Sequence, residues 1–181
     1  MTRATEDMEP LYLGRFVKAQ GIHGELKLYA SEDFWFEVLE SKELFVERST
    51  EDDVERYPVH VETARPHGAQ YVLKIQGIET RSDAQREVGA ELFVDIARLD
   101  VELPERELPF QVIGMTVRTE EGREIGVLTG VMDSPGQRVY EVTDAAGGVV
   151  LIPAVDAFVI KRDEENGEMT IRPIPGLIDG L

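Results

Sequence analysis

Residues 11–30 read LYLGRFVKAQGIHGELKLYA, and this stretch decides the fold that we expect. Two runs of alternating side chains, 11–19 and 26–29, flank a loop over residues 21–25. Alternation with a period of two is typical of strands in an antiparallel sheet or barrel. Glycine tolerates a positive φ and a close backbone approach, so Gly21 and Gly24 predict a constrained, exposed turn. The stretch therefore predicts a hairpin closed by a shaped loop.

The first half of the chain continues the β pattern. Further strands are predicted over 43–48, 54–64, 70–76 and 91–96. Pro58 marks the second of these as an edge or bulged strand because proline has no backbone N–H to donate. A short helix is expected to start at Thr80-Arg81-Ser82-Asp83 and to stop at Gly89. Six or so strands with one short helix predict a small closed barrel over residues 10–100, after a disordered tail over 1–9.

Three adjacent aromatic residues, Phe34, Trp35 and Phe36, follow the hairpin. A short helical turn is expected over 34–39, with Ser31 or Asp33 as its cap. Core packing explains these aromatic side chains, although one short element cannot bury all three. One of them is therefore a candidate for contact with a partner.

Residues 101–109, VELPERELP, are rich in proline and glutamate, which is typical of a linker, and we place the domain boundary there. The second domain, 110–181, repeats the pattern of short strands separated by tight turns that contain glycine. Its strands are predicted over 115–119, 124–132, 139–143, 149–152, 159–162 and 169–172, with a brief helical turn over 153–158. They predict a second small barrel, on which the apolar, proline-rich residues 173–179 are expected to dock.

Composition narrows the class of protein. The hydrophobic fraction of 42% is ordinary for a globular chain, and there is no run of apolar residues long enough to span a membrane. There is no cysteine, and the polar first ten residues lack the apolar core of a signal peptide, so we expect a soluble cytoplasmic protein. The 19 basic and 36 acidic residues give a net charge of −17. Such a chain is repelled by bulk phosphate and favours a basic protein as partner, although general acidity explains the charge equally well.

No catalytic or metal-binding pattern stands out. The Gly21-x-x-Gly24 loop lacks the lysine, hydroxyl and helix of a phosphate-binding loop, and its flanking strands argue against a KH-type loop. His23, His60 and His67 do not share the spacing of a metal pair, and no serine lies in a nucleophile-elbow context. The sequence therefore predicts no enzyme activity, no metal and no cofactor.

Taken together, the segments resemble the ribosome maturation factor RimM family. The matching stretches cover most of residues 11–179 in the family's order: LGRFVKAQGIHGELKLYA, VLKIQGIETRSDAQREVGAELFVD, VIGMTVRTEEGREIGVLTGV, VVLIPAVDAFVIKRD and PIPGLID. The resemblance implies a mainly all-β protein with an N-terminal six-stranded barrel, like those of translation factors, and a C-terminal PRC barrel. It also implies a non-enzymatic chaperone for maturation of the small ribosomal subunit head and rRNA processing. Its partners would be the nineteenth small-subunit protein, which is basic, and the precursor subunit with its rRNA.

Two departures from the family's pattern stand out. The family usually carries a tyrosine pair, important for subunit binding, at the start of its PRC barrel, where this chain has Glu107-Leu108 followed by Pro109 and Phe110. Gln137-Arg138 stands where an acidic residue is common. The candidate partner-binding residues are Gly21, Ile22, His23, Gly24, Glu25, Arg81, Leu108 and Phe110.

We expect a monomer. The sequence leaves two other functions open: a translation-factor-like RNA-binding module, and a PRC-barrel adaptor unconnected to ribosomes. For Arg81, a helix cap or a surface ion pair is an equal alternative to partner contact. Leu108 and Phe110 have core packing as their alternative.

Overall fold

The structure is a computed structural model that describes residues 7–51, 53–172 and 176. The chain divides into two compact units between Arg106 and Glu107, and each unit contains one sheet. Most of the predicted N-terminal tail and of the predicted docking segment 173–179 lies outside the described residues. No helix in the described part of the chain is long and apolar enough to cross a membrane.

The N-terminal unit is a seven-stranded antiparallel sheet in the order β4-β3-β7-β1-β2-β6-β5. Its strands are β1 (Pro10–Gln20), β2 (Glu25–Ala30), β3 (Leu44–Ser49), β4 (Val54–Pro58), β5 (Val61–His67), β6 (Gln70–Ile75) and β7 (Glu91–Asp95). Helix α1 spans Arg81–Glu87, and 3-10 helices span Phe36–Glu40 and Ile96–Arg98. Leu13, Leu26 and Leu28 are buried and β1 pairs with β2, which confirms the predicted hairpin. The alternation predicted over 11–19 is interrupted by register shifts between Tyr12 and Gly14 and between Phe16 and Lys18. Phe16 is therefore buried and Val17 is exposed, the reverse of strict alternation from Leu13.

The prediction of a single strand over 54–64 is wrong in one respect, because the strand is interrupted at Val59 and His60. Pro58 ends β4, and the two halves lie at opposite edges of the sheet. The Val59 N–H donates to Leu44 O at 3.1 Å, and His60 O accepts from the Gln76 N–H at 2.9 Å. Two residues thus join both edges of the sheet, which therefore rolls into a barrel. Counting β4 and β5 as one bent strand gives the six strands that were predicted.

Of the two helical segments predicted in this unit, one has the predicted cap and the other does not. Thr80 caps α1 as predicted: the Asp83 N–H donates to its hydroxyl at 3.1 Å, and its own N–H donates to the Asp83 carboxylate at 3.0 Å. Gly89 follows this helix with φ +96 and donates its N–H to Phe16 O. The predicted cap of the aromatic turn is wrong, because Trp35 precedes the Phe36–Glu40 helix and no side chain caps it. Of the three aromatic residues there, only Phe36 is exposed.

The C-terminal unit is a six-stranded sheet in the order β11-β10-β9-β8-β13-β12. Its strands are β8 (Thr116–Thr119), β9 (Glu124–Ser134), β10 (Gln137–Thr143), β11 (Val149–Pro153), β12 (Val159–Asp163) and β13 (Glu168–Ile171), preceded by α2 (Pro109–Val112). Among the strands of this unit that the structure describes, only β13 and β8 pair in parallel. The apolar core of this unit includes Val117, Leu128, Tyr140, Val142 and Ile152.

Candidate functional site

The loop at residues 21–25 connects β1 to β2 and takes the constrained form that its glycines predict. Gly21 and Gly24 have φ values of +62 and +77, in the left-handed region that favours glycine. Gly24 is buried, and a Cβ built on it would lie 2.0 Å from Ile78 O. A side chain at this position is therefore excluded by the backbone of the neighbouring segment, so Gly24 shapes the loop and does not offer a contact surface.

Two cationic side chains stabilise this loop and the neighbouring segment that contains Ile78. Arg81, at the first position of α1, donates from Nη1 to Gly21 O at 3.0 Å across a separation of sixty residues. Lys74 donates to Ile78 O and lies 3.0 Å from the Glu79 carboxylate. The structure thus brings Arg81 and the loop together, and Arg81 acts there as a brace through a backbone carbonyl.

The loop tip is open to solvent. Ile22 is 70% exposed, and His23 beside it is also exposed. Glu25 closes the loop by pairing with Arg65, whose Nη1 and Nη2 lie 2.5 and 3.2 Å from the two carboxylate oxygens. The hydrogen bond from Arg65 is the main reason that the pKa of Glu25 lies below its usual value. Ile22 and His23 are therefore the side chains that this loop presents.

Sequence reasoning missed Arg65 and Lys74. They come from β5 and β6 and meet the loop only through the pairing of β2 with β6 and of β6 with β5. No local sequence pattern marks such contacts between distant strands.

The second predicted surface, around Leu108 and Phe110, is mostly internal. Leu108 is fully buried, so its assignment as a partner-binding residue is corrected: a side chain without exposed surface cannot contact a partner. Its N–H donates to Gln111 Oε1 at 2.7 Å at the start of α2. Phe110 is half-buried, and the exposed apolar side chain of this segment is that of Ile113, which sequence reasoning did not select.

The two departures from the family's pattern lie in one polar network. Glu107 accepts a hydrogen bond from the buried Tyr140 hydroxyl at 2.5 Å and pairs with Arg162 Nε at 2.9 Å. Arg138 donates from Nη1 to Glu107 O at 2.6 Å and pairs with Asp133 at 2.9 Å. Burial, followed by the hydrogen bond to Glu107, raises the pKa of Tyr140 to about 12. Glu107 is thus directed into the unit, where it fixes the residues that precede α2.

In the described part of the chain, no group of three or more His, Asp or Glu side chains is placed to hold a metal ion. His23 lies in the loop, His60 in the link between β4 and β5, and His67 at the end of β5. The predicted histidines are therefore dispersed, and the features that the two units offer are surfaces and braced loops.

These observations define a class: a mainly β protein of two small units with one exposed, braced loop. The family model described as "RimM N-terminal domain" matches residues 11–99, and "RimM PRC barrel domain" matches residues 109–177. The chain belongs to the ribosome maturation factor RimM family, as its sequence motifs indicated.

Curated relatives agree over nearly the whole length. The ribosome maturation factor RimM of Prosthecochloris aestuarii is 37% identical over 163 residues, which cover 90% of this chain and 94% of that protein. The protein of the same name from Geobacillus kaustophilus is 33% identical over 169 residues, covering 92% and 95%. That of Acidothermus cellulolyticus is 30% identical over 168 residues, covering 92% of each.

Proposed function

We propose that this chain is a non-enzymatic assembly factor for the small ribosomal subunit, acting as a cytoplasmic monomer. In this proposal it supports maturation of the subunit head and rRNA processing by binding the basic nineteenth protein of the small subunit. Membership of a family of ribosome maturation factors over both units supports the general role. The choice of a basic protein as partner depends on charge.

The observation that carries this choice is the pairing of cations in the C-terminal unit. Five of its basic side chains each lie within ion-pair distance of a carboxylate: Arg118, Arg138, Lys161, Arg162 and Arg172. Acidic residues outnumber basic ones across the whole chain, 36 to 19. Phosphate binding needs cations that are free to neutralise it, so a basic protein is the better-matched partner for this unit.

Binding linkage supplies the mechanism. A factor that binds one conformer of its client more tightly than the others raises the population of that conformer. An acidic protein that holds a basic ribosomal protein in its rRNA-binding form would therefore favour docking of that protein on the subunit head. No bond is made or broken in such a step.

A second candidate, direct RNA binding by the N-terminal unit, is favoured by one observation. Lys18 and Lys27 are directly opposite each other on β1 and β2, three residues before and two after the loop. Neither pairs with a carboxylate among the residues that the structure describes. Like charges directly opposite each other on a sheet are destabilising, so this pair would gain from an added anion.

Salt dependence separates the two candidates. We expect the full chain to sediment with small-subunit precursors and to bind the purified head protein. If the chain binds the head protein, the double variant Lys18→Ala, Lys27→Ala should leave both interactions in place. If the chain binds RNA through these lysines, the double variant should weaken RNA binding, and RNA binding should also fall steeply as the salt concentration rises. A wild-type chain that ignores both precursors and the head protein would refute the assembly role and favour the unconnected adaptor.

The loop is tested separately by the double variant His23→Ala, Glu25→Ala. We expect weaker binding to precursors with Trp35 fluorescence unchanged, since Trp35 is the only tryptophan and is buried in the same unit. Glu62→Ala with His67→Ala makes the same changes at exposed positions of β5 and is the matched control. Unchanged co-sedimentation of the loop variant would remove the loop from the binding surface.

A further inference from the structure

The edge strand β11 has a sequence that its position does not explain. Residues 149–153, VVLIP, form a continuous apolar run, which is typical of a strand covered on both faces. Val150 and Ile152 enter the core of the C-terminal unit, but Val149 and Leu151 on the opposite face are 56% and 47% exposed. Because β11 ends the sheet, natural proteins would normally protect such a strand with charge or cover it.

The exposed apolar surface extends across the neighbouring strands. Val127 and Met132, on β9, are each 41% exposed, and β10 joins β9 to β11. Thr143 is directly opposite both Val127 and Val149, so these two side chains lie on the same face of the sheet. We call this surface the β9–β11 face.

One carboxylate lies in the middle of the β9–β11 face. Glu141 is directly opposite Leu151 on one side and Gly130 on the other, where the absence of a side chain leaves room. Its Oε1 atom accepts a hydrogen bond from the Thr129 hydroxyl at 3.2 Å. In the described residues Glu141 has no cationic partner within ion-pair distance. A carboxylate directly opposite the exposed side chain of Leu151 offers a cation charge beside apolar surface from which binding can exclude water.

We propose that the β9–β11 face is the docking surface for a basic protein segment in which Lys or Arg is flanked by apolar side chains. This inference rests on the proposed function and assigns the surface that the basic ribosomal protein would use. Burial of Val127, Val149 and Leu151 supplies the favourable apolar contact, and the cation pairs with Glu141.

Charge argues against other occupants of the face. A second copy would bring together two chains of net charge −17, with no cation on either β9–β11 face to offset the repulsion. RNA would place its phosphates beside Glu141. A basic polypeptide is the occupant whose charge and apolar content match both features of the surface.

The test measures binding of the full chain to the purified basic head protein by titration calorimetry. Glu141→Lys and Leu151→Ser are each expected to weaken binding about tenfold, as for residues at the centre of an interface. Ile160→Ser is the matched control, because Ile160 is an exposed apolar residue on β12 at the opposite edge of the same sheet. The control should bind as the wild type does, and all three variants should keep the wild-type circular dichroism.

The outcomes separate the surface from the function. If the wild type binds and both face variants bind equally well, the β9–β11 face is refuted and the proposed function stands. If the wild type does not bind the head protein, the proposed partner and this assignment both fail. If instead the wild type sediments as a dimer and Leu151→Ser makes it a monomer, the occupant is a second copy and the basic-segment assignment is wrong.

Discussion

The sequence singles out two regions, the loop at 21–25 and the segment at 107–112. Their positions are fixed in opposite ways. The loop is held by its backbone shape and by cations outside it, and its tip carries the exposed side chains of Ile22 and His23. The segment at 107–112 is held by its own side chains, because Leu108 is buried and Glu107 bonds the internal Tyr140 hydroxyl. A region held from outside can present side chains to a partner. A region held by its own side chains has few left to present.

Replacing Leu108 with alanine should have the largest effect on stability. Removing most of a fully buried leucine side chain costs about 3 kcal/mol, so the denaturation midpoint of the full chain should fall markedly. Ile113→Ala is the control, because Ile113 is 47% exposed in the same region and its truncation should change stability by less than about 0.5 kcal/mol. Unchanged stability of Leu108→Ala, with loss of precursor binding, would restore Leu108 as a contact residue.

The loop should be sensitive at one of its glycines and tolerant at the other. Gly24→Ala combines a positive φ with a clash against Ile78 O, and we expect it to destabilise the N-terminal unit by about 2 to 3 kcal/mol. Gly21→Ala has a similar φ, but its nearest neighbour, Glu25 Oε2, is 3.8 Å away, so about 1 kcal/mol is expected. Urea unfolding followed by Trp35 fluorescence measures both. Equal losses would show that the close approach to Ile78 contributes nothing.

The difference between the two regions also shows what the sequence could predict. Alternation and glycines are local signals, and they correctly located the hairpin, its loop, the capped helix after Thr80 and most strands. The break at Val59 has no such signal beyond Pro58, because it arises where the rolled sheet brings its two edges together. Glu107 could not be assigned either, since Tyr140 and Arg162 reach it from β10 and β12.

The β9–β11 face shows the same limit in another form. The run VVLIP indicates a strand covered on both faces, and sequence alone cannot distinguish cover by the chain itself from cover by a partner. Only the register, which places Val149 opposite Thr143 and Leu151 opposite Glu141, shows that one face of β11 is open.

Alkaline pH should reveal how firmly the segment at 107–112 is held. The folded state raises the pKa of Tyr140 from about 10 to about 12, so it favours the neutral hydroxyl. This contribution to stability is complete below pH 10 and is lost as the pH rises from 10 to 12, with a maximum of about 3 kcal/mol. The wild type should therefore lose more stability than Tyr140→Phe over this range, measured by urea unfolding. Parallel losses would show that the hydroxyl is not buried against Glu107.

The smallest effect is expected at Arg81, which braces the loop from outside. A single exposed hydrogen bond to a carbonyl contributes at most about 1 kcal/mol, so Arg81→Ala should barely change the denaturation midpoint. The amides of Ile22 and His23 should nevertheless exchange with solvent faster, because the loop loses the tie at Gly21 O. Arg86→Ala, on the same helix but paired with Asp83, is the control and should leave loop exchange unchanged.

Faster exchange together with weaker precursor binding would mean that Arg81 acts by ordering the loop. Weaker precursor binding with unchanged amide exchange in the loop would mean that Arg81 contacts the partner itself. The loop would then not depend on the hydrogen bond from Arg81.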